Sequence, residues 1–223
     1  MNKLLFCAGV LSGSLAIPAS AAMISVDNIS GNWSDIVGGQ NVSGEGTNEI
    51  SWGVPSNDAG LQSGYRFDAV ETPVTPALDS QFTLGDFTHL NYALNSGGGI
   101  QSAVLNLFFD VTIDGQEFSD AQSFSFLHSE TQNTGEGCCD DIVTFAALNT
   151  SESFVVDGTS YTLDLTGFHL GDSLESQFST TENGANTADL RGIFTAAQVP
   201  EPGTIALLGL GFVGLAASRR RKV

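Results

Sequence analysis

Apolar and polar residues alternate along most of this chain with the period of two that a half-buried strand requires. The clearest run is 102–113, where Leu105, Leu107, Phe109, Val111 and Ile113 share one face and Asn106, Asp110 and Thr112 the other. Asp114-Gly115 then supplies a two-residue hairpin turn into 116–126. The device recurs at Asp157-Gly158, between strands predicted at 153–156 and 160–165, with Tyr161, Leu163 and Leu165 opposite Thr162 and Asp164. Further strands are predicted at 49–52, 65–67, 81–84, 88–94, 142–145 and 190–195. Glycine-rich stretches at 38–46, 96–99, 131–137 and 180–186 read as loops, none long enough to separate domains. No fixed-period repeat is present, which argues against a solenoid or propeller. Short strands, one-face burial and 15 phenylalanines predict an all-β fold, an antiparallel β-sandwich of jelly-roll kind.

The two ends break this pattern. Lys3 gives a small positive region, 4–17 is apolar, and Ala19-Ser20-Ala21 offers small residues to signal peptidase. Residues 1–21 are therefore expected to be a signal peptide, with Ala22 opening the mature chain. At the far end, Val199-Pro200-Glu201-Pro202-Gly203 precedes an apolar segment and then Arg219-Arg220-Arg221-Lys222. As a helix, 204–218 reaches only ~22 Å at ~1.5 Å per residue. A bilayer core is ~30 Å thick, so this short transmembrane helix needs snorkelling or local thinning. The basic stop belongs in the cytoplasm and everything before the helix outside it.

That order of three parts resembles the PEP-CTERM sorting signal, a tail also labelled ice-binding-protein C-terminal domain. The resemblance implies that a membrane-embedded exosortase recognises the Pro-Glu-Pro motif, cuts near it, and releases or re-anchors the protein. The plainer reading is a permanent anchor; a short helix carrying Gly209, Gly211 and Gly214 argues against it. The expected organisation is thus signal peptide 1–21, secreted domain 22–198 and sorting tail 199–223.

Charge narrows the partners of the middle part. It holds 24 carboxylates against Arg66 and Arg191, a formal charge of −22. Such a surface repels nucleic acid and anionic lipid, so the membrane is met only through the tail. Cys138 and Cys139 are adjacent. Neighbouring Cα atoms lie ~3.8 Å apart, below the usual ~4.4–6.8 Å of a disulfide. A strained vicinal disulfide, two free thiols and a bond to another chain all remain open. No second cysteine pair or spaced histidine pair accompanies them, so no zinc-type metal site is assigned.

A second resemblance spans about 24–196. Gly44-Glu45-Gly46-Thr47-Asn48, Ser51-Trp52-Gly53, Ser63-Gly64-Tyr65-Arg66-Phe67 and 82–91 are similar to the choice-of-anchor K domain, as are Gly167-Phe168 and 178–183. The Thr-His-x-Asn element at Thr88–Asn91 is the most specific piece. It implies an exported β-rich domain joined to an interchangeable sorting tail. The adjacent cysteines depart from the separated ones expected in that family.

Candidate chemistry is sparse. His89 and Asn91, two apart on one strand face, form either a ligand-binding pair or a buried structural pair. His128 and His169 lack partners in sequence and are expected at strand edges. Calcium is the cation candidate, through Glu136, Asp140 and Asp141 and through Asp110, Asp114, Glu117 and Asp120 in the first hairpin. Trp33, Trp52, Tyr65 and Tyr92 are candidates for stacking on sugar rings or for core packing. Arg66 is expected to pair with Asp68. No Gly-x-Ser-x-Gly elbow occurs and no histidine adjoins the cysteines, so no catalytic residue is assigned. The expectation is an exported, non-enzymatic protein of the cell surface or exopolysaccharide matrix. Its expected partners are signal peptidase, exosortase and extracellular polysaccharide. The alternatives are a calcium-dependent adhesion module and a secreted glycan hydrolase.

Overall fold

A computed structural model describes residues 22–56, 60–131, 140–148 and 153–199. The signal peptide with Ala19 and Ala21, the tail beyond Val199, and Glu136, Cys138 and Cys139 lie outside the described residues. The chain runs β1 (Ile24–Gly38), β2 (Glu49–Trp52), β3 (Ser63–Ala69), β4 (Gln81–Asn91), β5 (Ile100–Ile113), β6 (Gln116–Ser129), β7 (Asp141–Leu148), β8 (Ser153–Val156), β9 (Thr159–Leu170), β10 (Ser173–Glu175), β11 (Gln177–Thr180) and β12 (Gly184–Gln198). One sheet has the order β1-β5-β6-β7-β11, the other β10-β9-β12-β4-β3-β2, with β8 also on β9. All pairings are antiparallel. Among the described residues no helix is long and apolar enough to cross a membrane.

Turn chemistry sets the two tight hairpins. Asp114 and Gly115 have φ of 49° and 83°, Asp157 and Gly158 φ of 48° and 77°. Positive φ at both central residues is the type I′ signature that matches the right-handed twist of paired strands. β5 and β6 consequently pair without a register break from Ile113↔Gln116 to Ser102↔Leu127.

The two sheets face each other across an aromatic core. Phe87 on β4 stacks on Phe126 on β6, ring centroids 5.3 Å apart and nearly parallel. Trp33 on β1 meets Tyr65 on β3 at 5.3 Å, and Phe168 on β9 meets Phe178 on β11 at 5.6 Å. All six rings are buried. Such offset and edge contacts are the favoured aromatic geometries.

Bulges reset the alternation at several points. β1 has register shifts after Asp27 and after Ser34, beside Asn28 and Asp35 at φ of 53° and 49°. A bulge places two residues against one, so inward positions fall three apart there; Val26 and Ile29 are accordingly both buried. The segments predicted separately at 81–84 and 88–94 are one strand, β4. Its pairing with β12 skips Leu84 between Thr83 and Gly85, so Leu84 and Phe87 both face inward. β9 skips Thr166 opposite the same Arg191 of β12.

Candidate functional site

The most concentrated polar chemistry lies inside the sandwich, where strands of both sheets bring side chains together. His89 comes from β4, His128 from β6, Asp141 from the first position of β7, Thr180 from the end of β11 and Tyr65 from β3. All five are buried, none more than 8% exposed. The two imidazoles stand edge to face with centroids 5.1 Å apart. His89, His128 and Asp141 each offer a ligand atom, and these atoms lie within 4.8 Å of one another.

Hydrogen bonds fix the proton positions. Thr180 Oγ1 donates to the Asp141 carbonyl at 3.1 Å. A hydroxyl has one proton to give, so at its 2.8 Å contact with His89 Nδ1 it accepts. Nδ1 therefore carries the His89 hydrogen, and Nε2 holds a lone pair that is buried without a hydrogen-bond partner among the described residues. His128 Nδ1 lies 2.7 Å from the Tyr65 hydroxyl, while its Nε2 lies 3.3 Å from Glu130 Oε2 and 3.8 Å from Asp141 Oδ2. Facing two carboxylates, Nε2 carries the proton, and Tyr65 donates to Nδ1. Asp141 Oδ1 accepts from the Thr131 amide at 2.8 Å; Oδ2 is buried with no hydrogen bond.

Burial dominates the electrostatics. It pushes the Tyr65 phenol well above its ordinary value, with Asp141 and Glu130 adding to the effect. It pushes His89 well below the usual histidine range, with His128 contributing, so that ring stays neutral. Asp141 is raised to about 6, mainly by burial, the Thr131 amide opposing. Glu182 is raised to about 7 by burial and then by Asp141, Glu130 and Asp140. Carboxyl groups whose ionisation is opposed by burial and by one another thus stand near two buried imidazoles.

The structure places the sequence candidates variously. His89 and Asn91 do share a buried face; rather than bonding each other, both hold Thr180, Asn91 Nδ2 donating to its carbonyl at 2.9 Å. The expectation that His128 and His169 sit at strand edges is corrected: β6 and β9 are interior strands, and both rings are buried. Their inward positions pack them against partners far away in sequence or at a bulge, His169 Nε2 meeting Thr166 Oγ1 at 2.9 Å. Trp33, Trp52 and Tyr65 are fully buried, so none can stack on a sugar, and Tyr92 is half-buried. Asp140 is exposed while Asp141 turns inward. In the first hairpin Asp110 accepts from Asn28 and Ser119, and Asp114 accepts from the Met23 amide at 2.9 Å. Those carboxylates serve separate local partners. Arg66 Nε does pair with Asp68, at 2.6 Å. The His89–His128 pair escaped sequence reasoning because the two residues meet only through the packing of opposite sheets.

β12 ends at Gln198, and the Val199 amide donates to the Gly158 carbonyl at 2.8 Å. Pro200-Glu201-Pro202, the apolar run and the four basic residues come directly after Val199 in the chain. Residues 198–222 match the PEP-CTERM protein-sorting motif. This sorting signal marks an exported protein processed by an exosortase, with a membrane-anchored C-terminal segment. The match starts at the last residue of the sandwich. No curated protein matches the chain in sequence.

Proposed function

We propose that this chain is an exported, non-enzymatic β-sandwich of jelly-roll kind, delivered to the cell surface or an exopolysaccharide matrix by its sorting tail. The match of residues 198–222 to the PEP-CTERM motif carries this reading. The division between sandwich and tail supports it: β12 finishes at Gln198, so a cut near Pro200-Glu201-Pro202 removes no strand residue. In this reading residues 1–21 are the signal peptide, 204–218 the short membrane helix, and 24–196 a domain of choice-of-anchor K kind. The burial of His89, His128 and His169 supports a role other than catalysis, since a substrate does not reach them. Matrix polysaccharide is the partner class of this destination, met through the acidic outer surface rather than through aromatic platforms.

The intact mass of the protein recovered from outside the cell tests the proposal. The expected mass starts at Ala22 and ends near Val199. In the Pro200→Ala, Glu201→Ala variant the protein is expected to stay with the cell membrane, uncut. A recovered mass that retains Arg219 to Val223, or export of the variant equal to that of the parent, overturns the sorting route.

A further inference from the structure

We propose that His89, His128 and Asp141 form an inter-sheet site for one divalent first-row transition ion of zinc type. The site does not depend on the sorting tail.

The donor set points to this class. Two imidazoles and a carboxylate suit zinc and its neighbours, whereas calcium takes six to eight oxygens. The His89 lone pair on Nε2 is buried, has no hydrogen-bond partner among the described residues, and belongs to the group whose ligand atoms lie within 4.8 Å. Asp141 Oδ2 is the second buried acceptor without a hydrogen bond in that group. An acceptor left dry and unpaired is costly, and two of them converging with His128 is the situation that a bound cation relieves. Zinc bonds of about 2.0–2.2 Å place tetrahedral ligands about 3.3–3.5 Å apart. His128 Nε2 and Asp141 Oδ2 already stand at 3.8 Å, so side-chain rotation closes the set.

Groups around the site supply what a metal ligand needs. Thr180 accepts from His89 Nδ1 and so holds the ring in the tautomer that presents Nε2, as outer partners of metal-bound histidines do. Binding through His128 Nε2 moves that ring's proton to Nδ1 by exchange with solvent, and Tyr65 turns from donor to acceptor. The ring remains neutral. Glu130, 3.3 Å from His128 Nε2 and only 23% exposed, lies beside the set and balances the second positive charge, with a water completing the tetrahedron. Buried with its three protein ligands, the ion acts as a clamp between β4 of one sheet and β6 and β7 of the other.

The test uses the exported protein, as cells process it, in a Cys138→Ser, Cys139→Ser background so that thiols bind none of the metal. The protein is stripped with a chelator and titrated with Zn2+, and with Co2+ as a visible reporter. One equivalent per chain is expected, with tetrahedral Co2+ absorption, a raised Tm, and no displacement by millimolar Ca2+. Thr180→Val is expected to weaken binding about 10–100-fold, and His89→Gln to abolish it. Should either variant fail to fold, the parent's own stoichiometry decides. Absence of any bound equivalent in the stripped parent, as when the cluster simply holds an ordered water, overturns the site. So does a Tm that responds to Ca2+ alone, or zinc binding unchanged in folded His89→Gln.

Discussion

At the scale of single residues, the outer face of the larger sheet shows how scarce positive charge is used. Register sets Asp68 opposite Asp86, and Asp86 opposite Asp189, three carboxylates in a row across β3, β4 and β12. Both arginines of the domain are spent on the ends of that row, Arg66 on Asp68 at 2.6 Å and Arg191 on Asp189 at 2.8 Å. Asp86 in the middle is raised above the ordinary carboxylate value, first by burial and then by Asp189 and Asp68. A raised value means that the folded chain holds this proton more tightly than the unfolded one. Its favourable contribution is complete below the unfolded value and is lost as pH rises through the folded one. Asp86→Asn is therefore expected to stabilise the protein at about pH 7 by about 0.5 kcal/mol, the exposed setting keeping the gain small. At about pH 3, where both states are protonated, it is expected to change nothing. Thermal melts of parent and variant at the two pH values check this. The Arg66–Asp68 pair was legible from its i, i+2 spacing; the Asp row was not, because cross-strand register is a property of three strands at once.

At the scale of elements, legibility followed the regularity of the alternation. β2 and β8 occupy their predicted spans, and both Asp-Gly turns form hairpins, because local rules govern them completely. β1 was missed although it is 15 residues long. Its buried residues Ile24, Val26, Ile29 and Trp33 step by two, three and four, a spacing that reads as irregular until the bulge after Asp27 and the inward-facing Gly31 are allowed for. β10 and β11 were missed because three- and four-residue strands carry too few positions to display a period. The buried cluster was half legible: His89 and Asn91 on one face could be read, whereas Tyr65, His128, Asp141 and Thr180 join them only through sheet packing. The bulge in β4 depends on a small residue. A Cβ at Gly85 would stand 2.5 Å from the Asp68 carbonyl oxygen and 2.5 Å from Phe67 Cζ, one a backbone atom and the other part of the packed core. Gly85→Ala is expected to cost about 1–3 kcal/mol by overpacking, read as a lower urea midpoint at unchanged slope.

At the scale of the whole molecule, a net −22 between residues 22 and 198 makes self-repulsion a general load on the fold. Raising NaCl from about 0.01 M to about 0.15 M shortens the screening length from about 30 Å to about 8 Å, and the Tm is expected to rise with it. A Tm flat across that range would mean that the carboxylates are too widely spread to act together.

The place of β12 has a mechanical consequence. This strand ends at the sorting tail, yet it lies in the interior of its sheet, with ten register partners on β4 and ten on β9. Where the exported sandwich is re-anchored through its C-terminus rather than released, fluid drag pulls β12 along its own axis. The ladders on both sides then bear that load in shear, many bonds at once, whereas a strand at the rim would be peeled away one bond at a time. Attachment through the innermost strand makes the sandwich hardest to tear along the direction in which its tether pulls.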